Sequence, residues 1–409
     1  MSGSIKLKHA SGNGVIISAP SSNPSSDKTI NLPSDETGVF ATKDSANSLQ
    51  NVTGLNGGPL SNRRMNINGA CLVNQRGNKT GLTSGSHKVL DKWRHYFTEG
   101  TFSITQENDA PSGSGFTKSL KIQCTSADTS QDAFATHQFG YAFEGQDIQQ
   151  LAKGTSSAKQ LAVQFWCKAY QTGTFVVTLF DEDNSRFVCQ NFTISASNTW
   201  EHKKLTFPAD TTGTITADNS SSINVDFKLA AGSNYTSGTL RTTWGGNVAA
   251  DSAVGQTVNI ADSTNNNFYI TGFQIETGNV HTEFEHKSYG QELALARRYF
   301  YKVQPSTTYV SFGVGTAYSS TQAVAHIDFP VPLRASPTFS YFGALNNFYD
   351  VSGNFSSFSA IIVNQIMGTS KLGYRSCKVN VTGSGTAGKV FMFASSNSNL
   401  VSLSFDSDL

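Results

Sequence analysis

A chain of 409 residues is long enough for two or three domains, each able to bury its own core. Only 14% of its residues are charged and the net charge is +1, so there is no electrostatic reason to expect nucleic acid or an anionic membrane as partner. No apolar run approaches the ~20 residues of a membrane span, and the opening Met1-Ser2-Gly3-Ser4-Ile5-Lys6 has no apolar signal core, so neither membrane insertion nor Sec export is expected.

Residues 1–60 are poor in large apolar groups. Ile5 and Leu7 alternate with Lys6 and Lys8, Val15-Ile16-Ile17 follows a turn at Gly12-Asn13-Gly14, and Thr29-Ile30-Asn31-Leu32 reads as another short strand. Strands so thinly hydrophobic are marginal for one chain alone. This region either shares a core with copies of itself, docks on a larger partner, or is a disordered leader. Residues 41–65, rich in Ser, Asn and Gly, read as a linker.

Residues 66–290 are a succession of strands. Leu161, Val163, Phe165, Cys167 and Ala169 share one face, and Gln164, Trp166, Lys168 and Tyr170 the other. Ile223, Val225, Phe227 and Leu229 alternate with Asn224, Asp226 and Lys228. Strands at this spacing, with turn residues between them and hardly any helix, predict an antiparallel sandwich. Residues 230–267 break the rhythm as a long polar loop carrying Tyr235, Arg241 and Trp244. In the closing strand of this region, Tyr269, Thr271, Phe273 and Ile275 are expected on one side, with Gly272, Gln274 and Glu276 on the other. A linking helix is expected over 291–302, which has good helix formers and no proline or glycine.

Residues 303–409 form a second β unit, in which Ala323, Ala325, Ile327 and Phe329 alternate with Val324, His326 and Asp328. Pro330 and Pro332 demand an edge or a chain crossing there. The expected class is therefore all-β, with a smaller C-terminal β-sandwich after the helix.

Chemistry-bearing residues are sparse. Cys71, Cys124, Cys167, Cys189 and Cys377 lack metal-ligand spacing, and an odd count at wide spacing favours reduced, structural thiols. Glu276, Glu283 and Glu285 lie close in sequence, but beside a surface turn they read as solvated carboxylates, not as a glycosidase pair. Asp181-Glu182-Asp183-Asn184 has oxygens for Ca²⁺ but lacks the glycine and closing glutamate of an EF-hand, and reads as a polar hairpin tip. No catalytic residue, metal site or cofactor is assigned. Aromatics are the better candidates, because sugars present apolar C–H faces to flat side chains flanked by hydrogen-bonding groups. Trp166 and Tyr170 suit such a platform, although Trp166 also fits a core position. Trp244, with Tyr235 and Arg241, is either a local anchor or a partner contact. Trp93 and Trp200 read as packing residues.

Several stretches resemble tail-fibre-like virion structural proteins of marine bacteriophages, of the cyanophage type. They are SGSIKLKHASGNGVIISAPSSNPSSDKTINLPSDETG at the start, Asn68-Gly69-Ala70 with Asn74-Gln75-Arg76-Gly77, Leu90-Asp91-Lys92-Trp93, Asn198-Thr199-Trp200-Glu201, FQIETGNVHTEFEHKSYGQELALARRYF, FPVPLRASPTF and Leu403-Ser404-Phe405-Asp406. The resemblance implies a carbohydrate-binding-module-like jelly-roll sandwich over 66–290 and a short-stranded N-terminal attachment and trimerisation region over 1–65. It further implies a non-enzymatic homotrimer, made in the host cytoplasm and exposed on the virion. Its amino end would bind other virion proteins, and its distal domains a host cell-surface glycan or receptor. A glycan depolymerase and a purely structural decoration protein are the rival readings.

Overall fold

The computed structural model describes residues 61–409 except 351, 353, 370–372 and 397–400, together with four short strands nearer the amino end. The chain divides into two compact units, Met1–Thr53 and Gly54–Leu409. In the first, Ser4–Lys8 pairs antiparallel with Gly14–Ser18, and Thr42–Lys43 with Leu49–Gln50. The strand expected at residues 29–32 lies outside the described residues.

The second unit is all-β with one substantial helix. A seven-stranded antiparallel sheet runs Gly245–Gly246, Arg186–Ile194, Gly173–Asp181, Ser221–Ala231, Thr136–Glu144, Trp93–Phe97, Gly85–Lys88. A six-stranded one runs Glu201–Phe207, Leu161–Ala169, Asn267–Thr277, Ser119–Ser126, Thr101–Glu107, Lys79–Leu82. The core between them takes the inward alternate residues. Val163, Phe165 and Cys167 from one sheet and Val225, Phe227 and Leu229 from the other have no exposure at all, as a period of two demands when one face is buried. Trp93 is equally buried, stacked on Phe139 at 4.8 Å. All five cysteines are free and buried, and burial pushes the Cys71 and Cys377 thiols up to about 12.

The closing strand departs from simple alternation. Phe268 and Ile270 point into the core and so do Phe273 and Ile275, whereas Tyr269, Thr271, Gln274 and Glu276 point the other way. Tyr269 and Thr271 therefore lie opposite Phe273 and Ile275, not beside them as strict alternation requires. The cause is a β-bulge. The register with Leu161–Ala169 slips between Gln164 and Trp166, and Gly272 takes φ +62°, a left-handed conformation that glycine adopts without a Cβ penalty.

The helix is Tyr289–Arg297, shorter than expected. Ser288 caps it reciprocally with Gln291. It ends where the aromatic run Tyr299-Phe300-Tyr301 goes into strand, because Phe300–Val303 pairs with Ser402–Asp406. Its buried residues are Glu292 and Ala296, while Leu295 is exposed. Glu292 pairs with the fully buried Arg64 and accepts from the Asn68 amide at 2.7 Å. Arg63 meets Glu276 at 2.8 Å. The end of the expected linker is thus built into the sandwich, where paired charges and backbone hydrogen bonds hold it. Among the described residues no helix is long and apolar enough to cross a membrane.

Residues after the helix build a separate core that includes Phe312, Ile327, Phe391 and Phe405. It lies between a three-stranded sheet (Phe300–Val303, Ser402–Asp406, Thr338–Phe342) and a six-stranded one (Phe348–Asp350, Val390–Ser395, Ser311–Ala317, Gln322–Leu333, Gly373–Gly385, Phe355–Thr369). Pro330 and Pro332 do lie in a central strand. Its ladder to Gly373–Gly385 breaks between Asp328 and Leu333, so neither proline is asked to donate there. This region is fastened to the sandwich by charge. Arg76 bonds Asp406 at 2.7 Å and Asp408 at 3.0 Å, Arg298 bonds Glu144 at 2.7 Å, and Arg334 donates to the Asn219 carbonyl at 2.7 Å.

Candidate functional site: an aromatic cleft on the six-stranded sheet of the sandwich

The outward face of the sandwich's six-stranded sheet is roofed from two sides. On one side Asp109 holds the loop that follows Thr101–Glu107, accepting from Lys168 and, at 3.0 Å, from the Trp200 indole. Burial alone would raise the Asp109 carboxyl, but the bonds from Lys168 and Trp200 outweigh it and hold the group below the usual carboxylate range. On the other side the segment before the helix is stitched down by side chains of the sheet. Gln164 donates to the Thr282 carbonyl, Glu276 accepts from the Thr282 amide at 2.8 Å, and Gln274 accepts from the Glu285 amide at 2.8 Å. His281 completes the seam on the Leu205 carbonyl at 2.9 Å.

Between these roofs opens a cleft of about 370 Å³. Trp166 lies half-buried in it, stacked flat on His202 with ring centroids 4.8 Å apart and planes 6° from parallel. The two residues are directly opposite across neighbouring strands. Phe116 and Phe284 meet edge-to-face at 4.9 Å, and His286 packs on both. Gln164, Lys204, Thr282 and Glu283 add hydrogen-bonding groups to the lining. Burial, then Lys204 and His281, lowers the His202 ring below its ordinary value, favouring the neutral form that stacks on indole.

Gly272 is the floor of this cleft. A Cβ there would stand 2.6 Å from Phe116 and 3.2 Å from Trp166. The bulge that reverses the strand's facing thus also lets two aromatic rings approach its backbone.

The residues singled out in the sequence disperse. Tyr170 shares the outward face with Trp166 and is 43% exposed, but four residues along an extended strand is about 13 Å, past the Lys168–Tyr269 contact. Trp244, Tyr235 and Arg241 lie in the long loop against the other sheet. Trp244 is partly buried and donates to the Pro208 carbonyl at 2.8 Å, under the Lys153 ammonium. Arg241 covers Phe187 and bonds Asp251 at 2.5 Å, and Tyr235 sits in a single helical turn over a separate hollow. Trp244 and Arg241 are therefore anchors of the long loop. Glu276 and Glu285 accept from their neighbours, while Glu283 is exposed at the cleft. The carboxylates of Asp181, Glu182 and Asp183 accept from protein donors, Lys153 and Asn184 on Asp181, Asn224 on Glu182 and Ser222 on Asp183.

Phe116, Phe284, His202, His281 and His286 were not singled out in the sequence. Signals could have picked out two of them, His202 and Phe116. His202 and Lys204 alternate with buried Leu205 and Phe207, and Phe116 is a lone aromatic in a Gly/Ser loop, the feature that drew attention to Trp244.

No protein-family model and no curated protein matches the chain. Among solved structures it is similar to the enzymatically active domain of tailspike protein 4 of bacteriophage CBA120, at 12% identity over 48% of this chain and 21% of that one, TM-score 0.27. It is also similar to a putative sugar binding protein from Bacteroides thetaiotaomicron, at 11% identity over 53% of this chain and 100% of that one, TM-score 0.27. A third is the family 11 carbohydrate-binding module from Clostridium thermocellum in complex with a mixed-linked tetrasaccharide, at 14% identity over 51% and 99%, TM-score 0.24. The chain spans about a fifth of the tailspike domain's length. Likenesses of this degree carry no function across to it.

Proposed function

We propose that the chain is a non-enzymatic fibre protein of a bacteriophage virion, on the tail or the head, that attaches to the host surface by holding a glycan in the Trp166 cleft. The observation that carries this reading is the cleft itself. A flat Trp166–His202 pair lies open beside Phe116 and Phe284, with amide, hydroxyl, carboxylate and ammonium groups at its rim, on a rigid sheet. That combination suits a sugar ring, which offers C–H faces to aromatics and hydroxyls to polar neighbours. The virion setting rests on the sequence resemblance, which also gives residues 1–65 the role of binding other virion proteins.

A homotrimer is part of the proposal, since three weak sites on one particle gain by avidity what each lacks in affinity. Its support is the outward face of the C-terminal six-stranded sheet. Ile362, Asn380, Val324, Thr316 and Val390 stand in one register row across five strands, and Ile362, Val390 and neighbouring Val314 are each more than half exposed. A β-branched sheet face left open is the kind of surface a second copy covers. The reading without turnover is supported by Glu276, both of whose oxygens are taken up by Thr282 and Arg63.

Incubating the protein with host surface polysaccharide tests both parts. Binding without new reducing ends is the expected result. Release of oligosaccharides would replace this reading with a depolymerase, and no binding at all would leave a decoration protein.

A further inference from the structure

We propose that the groove between the sandwich edge and the three-stranded C-terminal sheet is a second recognition site, for an anionic polysaccharide bearing sulfate or carboxylate groups. The groove encloses about 720 Å³, against about 370 Å³ for the Trp166 cleft. Its floor is one face of the three-stranded sheet, where Lys302, Ser404 and Ser340 stand side by side across the strands. The sandwich edge supplies Lys79 and Lys88 from the strands Lys79–Leu82 and Gly85–Lys88.

The charge balance points to an anion. Arg76, Lys79, Lys88 and Lys302 all line the groove. The Arg76 charge is paired with Asp406 and Asp408, and that of Lys88 with Asp406 at 3.1 Å. Lys79 and Lys302 have no carboxylate partner among the described residues, yet they lie near one another. After burial, the Lys79 charge is what lowers the Lys302 ammonium below its usual value. Two like charges in a half-buried groove repel, and an anion seated between them reverses the sign of that interaction. The serine hydroxyls beside Lys302 can donate to the same oxygens.

A sugar accounts for the remaining feature. Phe342, 69% exposed, stands at the end of the floor opposite Ser402, a flat apolar face beside a polar, cationic row. Nucleic acid is bound through a track of phosphate contacts, whereas two unpaired lysines, neighbouring hydroxyls and one platform match a charged sugar and its neighbour. This site is distinct from the Trp166 cleft and does not depend on it.

Affinity electrophoresis of the full chain through gels containing dextran sulfate, polygalacturonate or neutral dextran tests the assignment. Retardation is expected with one or both charged polymers and not with neutral dextran, and the polymer that retards identifies sulfate ester or uronate as the anion. Replacing both lysines (Lys79→Gln with Lys302→Gln) should weaken retention about tenfold. Phe342→Ser should weaken it about threefold. Replacing both lysines by arginine preserves retention, and Trp166→Ala leaves it unchanged, which separates this site from the cleft. The proposal is overturned if the double glutamine variant migrates as the wild type. It is equally overturned if duplex DNA binds the wild type and Phe342→Ser as tightly as the charged polymers do.

Discussion

On the sandwich's six-stranded sheet, the outward face is polar and roofed. Gln164, Gln274 and Glu276 spend their hydrogen bonds on the segment above them, and Trp166 is left in the gap. On the C-terminal six-stranded sheet, the outward face presents Ile362, Val314 and Val390, each exposed by more than half. Both sheets bury an inner face by the same alternation, so core formation does not explain the difference. A face fixed by specific hydrogen bonds keeps a small site rigid, as recognition of a polar ligand requires. A face of β-branched side chains fixes nothing locally and gains most from being covered by a broad apolar surface.

If the roof depends on buried charge, removing one partner should be severe. Glu292→Ala strands the Arg64 guanidinium, whose side chain has no exposure, and takes the acceptor from the Asn68 amide. A loss of about 3–5 kcal/mol is expected in denaturant unfolding. Ile362→Lys on the open face should change the unfolding of the dissociated chain by less than about 0.5 kcal/mol. Equal losses would erase the contrast between the two faces.

The sandwich should also carry a pH dependence set by a buried histidine pair. His95 and His137 face each other through their Nε2 atoms among Phe97 and Phe102. Burial pushes both rings below the ordinary value of 6.5, His137 to about 3, with the neighbouring His137 and His87 adding to the effect on His95. The unfolded chain therefore takes up protons that the folded one refuses, and stability present above about pH 6.5 is lost as pH falls toward about 3. Replacing both histidines with leucine should flatten the slope of unfolding free energy over that window. An unchanged slope would assign it to other groups.

A smaller effect is expected at the bulge. Gly272→Ala places a methyl against Phe116 and strains a left-handed residue by about 1–2 kcal/mol. Glycan affinity should fall while the C-terminal region is untouched, read by calorimetric titration beside thermal melting. The least costly change to the fold should act on assembly. Val314→Lys with Ile362→Lys is expected to convert a trimer sedimenting at micromolar concentration into monomers of near-normal melting temperature. A trimer that survives both lysines would place the contact elsewhere.

The alternations of Leu161–Ala169 and Ser221–Ala231 made the sandwich legible, because one buried face imposes a period of two that tertiary context cannot hide. The bulge was not legible. Gly272 offered only its identity, and its consequence, that Tyr269 and Thr271 part from Phe273 and Ile275, depends on the partner strand's register. Sequence alone carries the helix too far, because Tyr299-Phe300-Tyr301 tolerates helix locally and its strand partner lies about a hundred residues away at Ser402–Asp406. Trp166 was visible as an outward candidate. His202, Phe116 and Phe284 reach it from three other segments, and nothing local marks that convergence. Trp244 drew attention as a tryptophan in a polar loop, yet a carbonyl of Pro208, far away in sequence, takes its N–H.

The claim that most needs testing is that Trp166 contacts a sugar. Fragments of host surface polysaccharide titrated calorimetrically into wild-type and Trp166→Ala protein, each melted in parallel, test it directly. The cleft reading predicts at least about tenfold weaker binding by the variant, some 1.4 kcal/mol, with melting little changed because the ring is only half-buried. Identical affinities for the two proteins would contradict it.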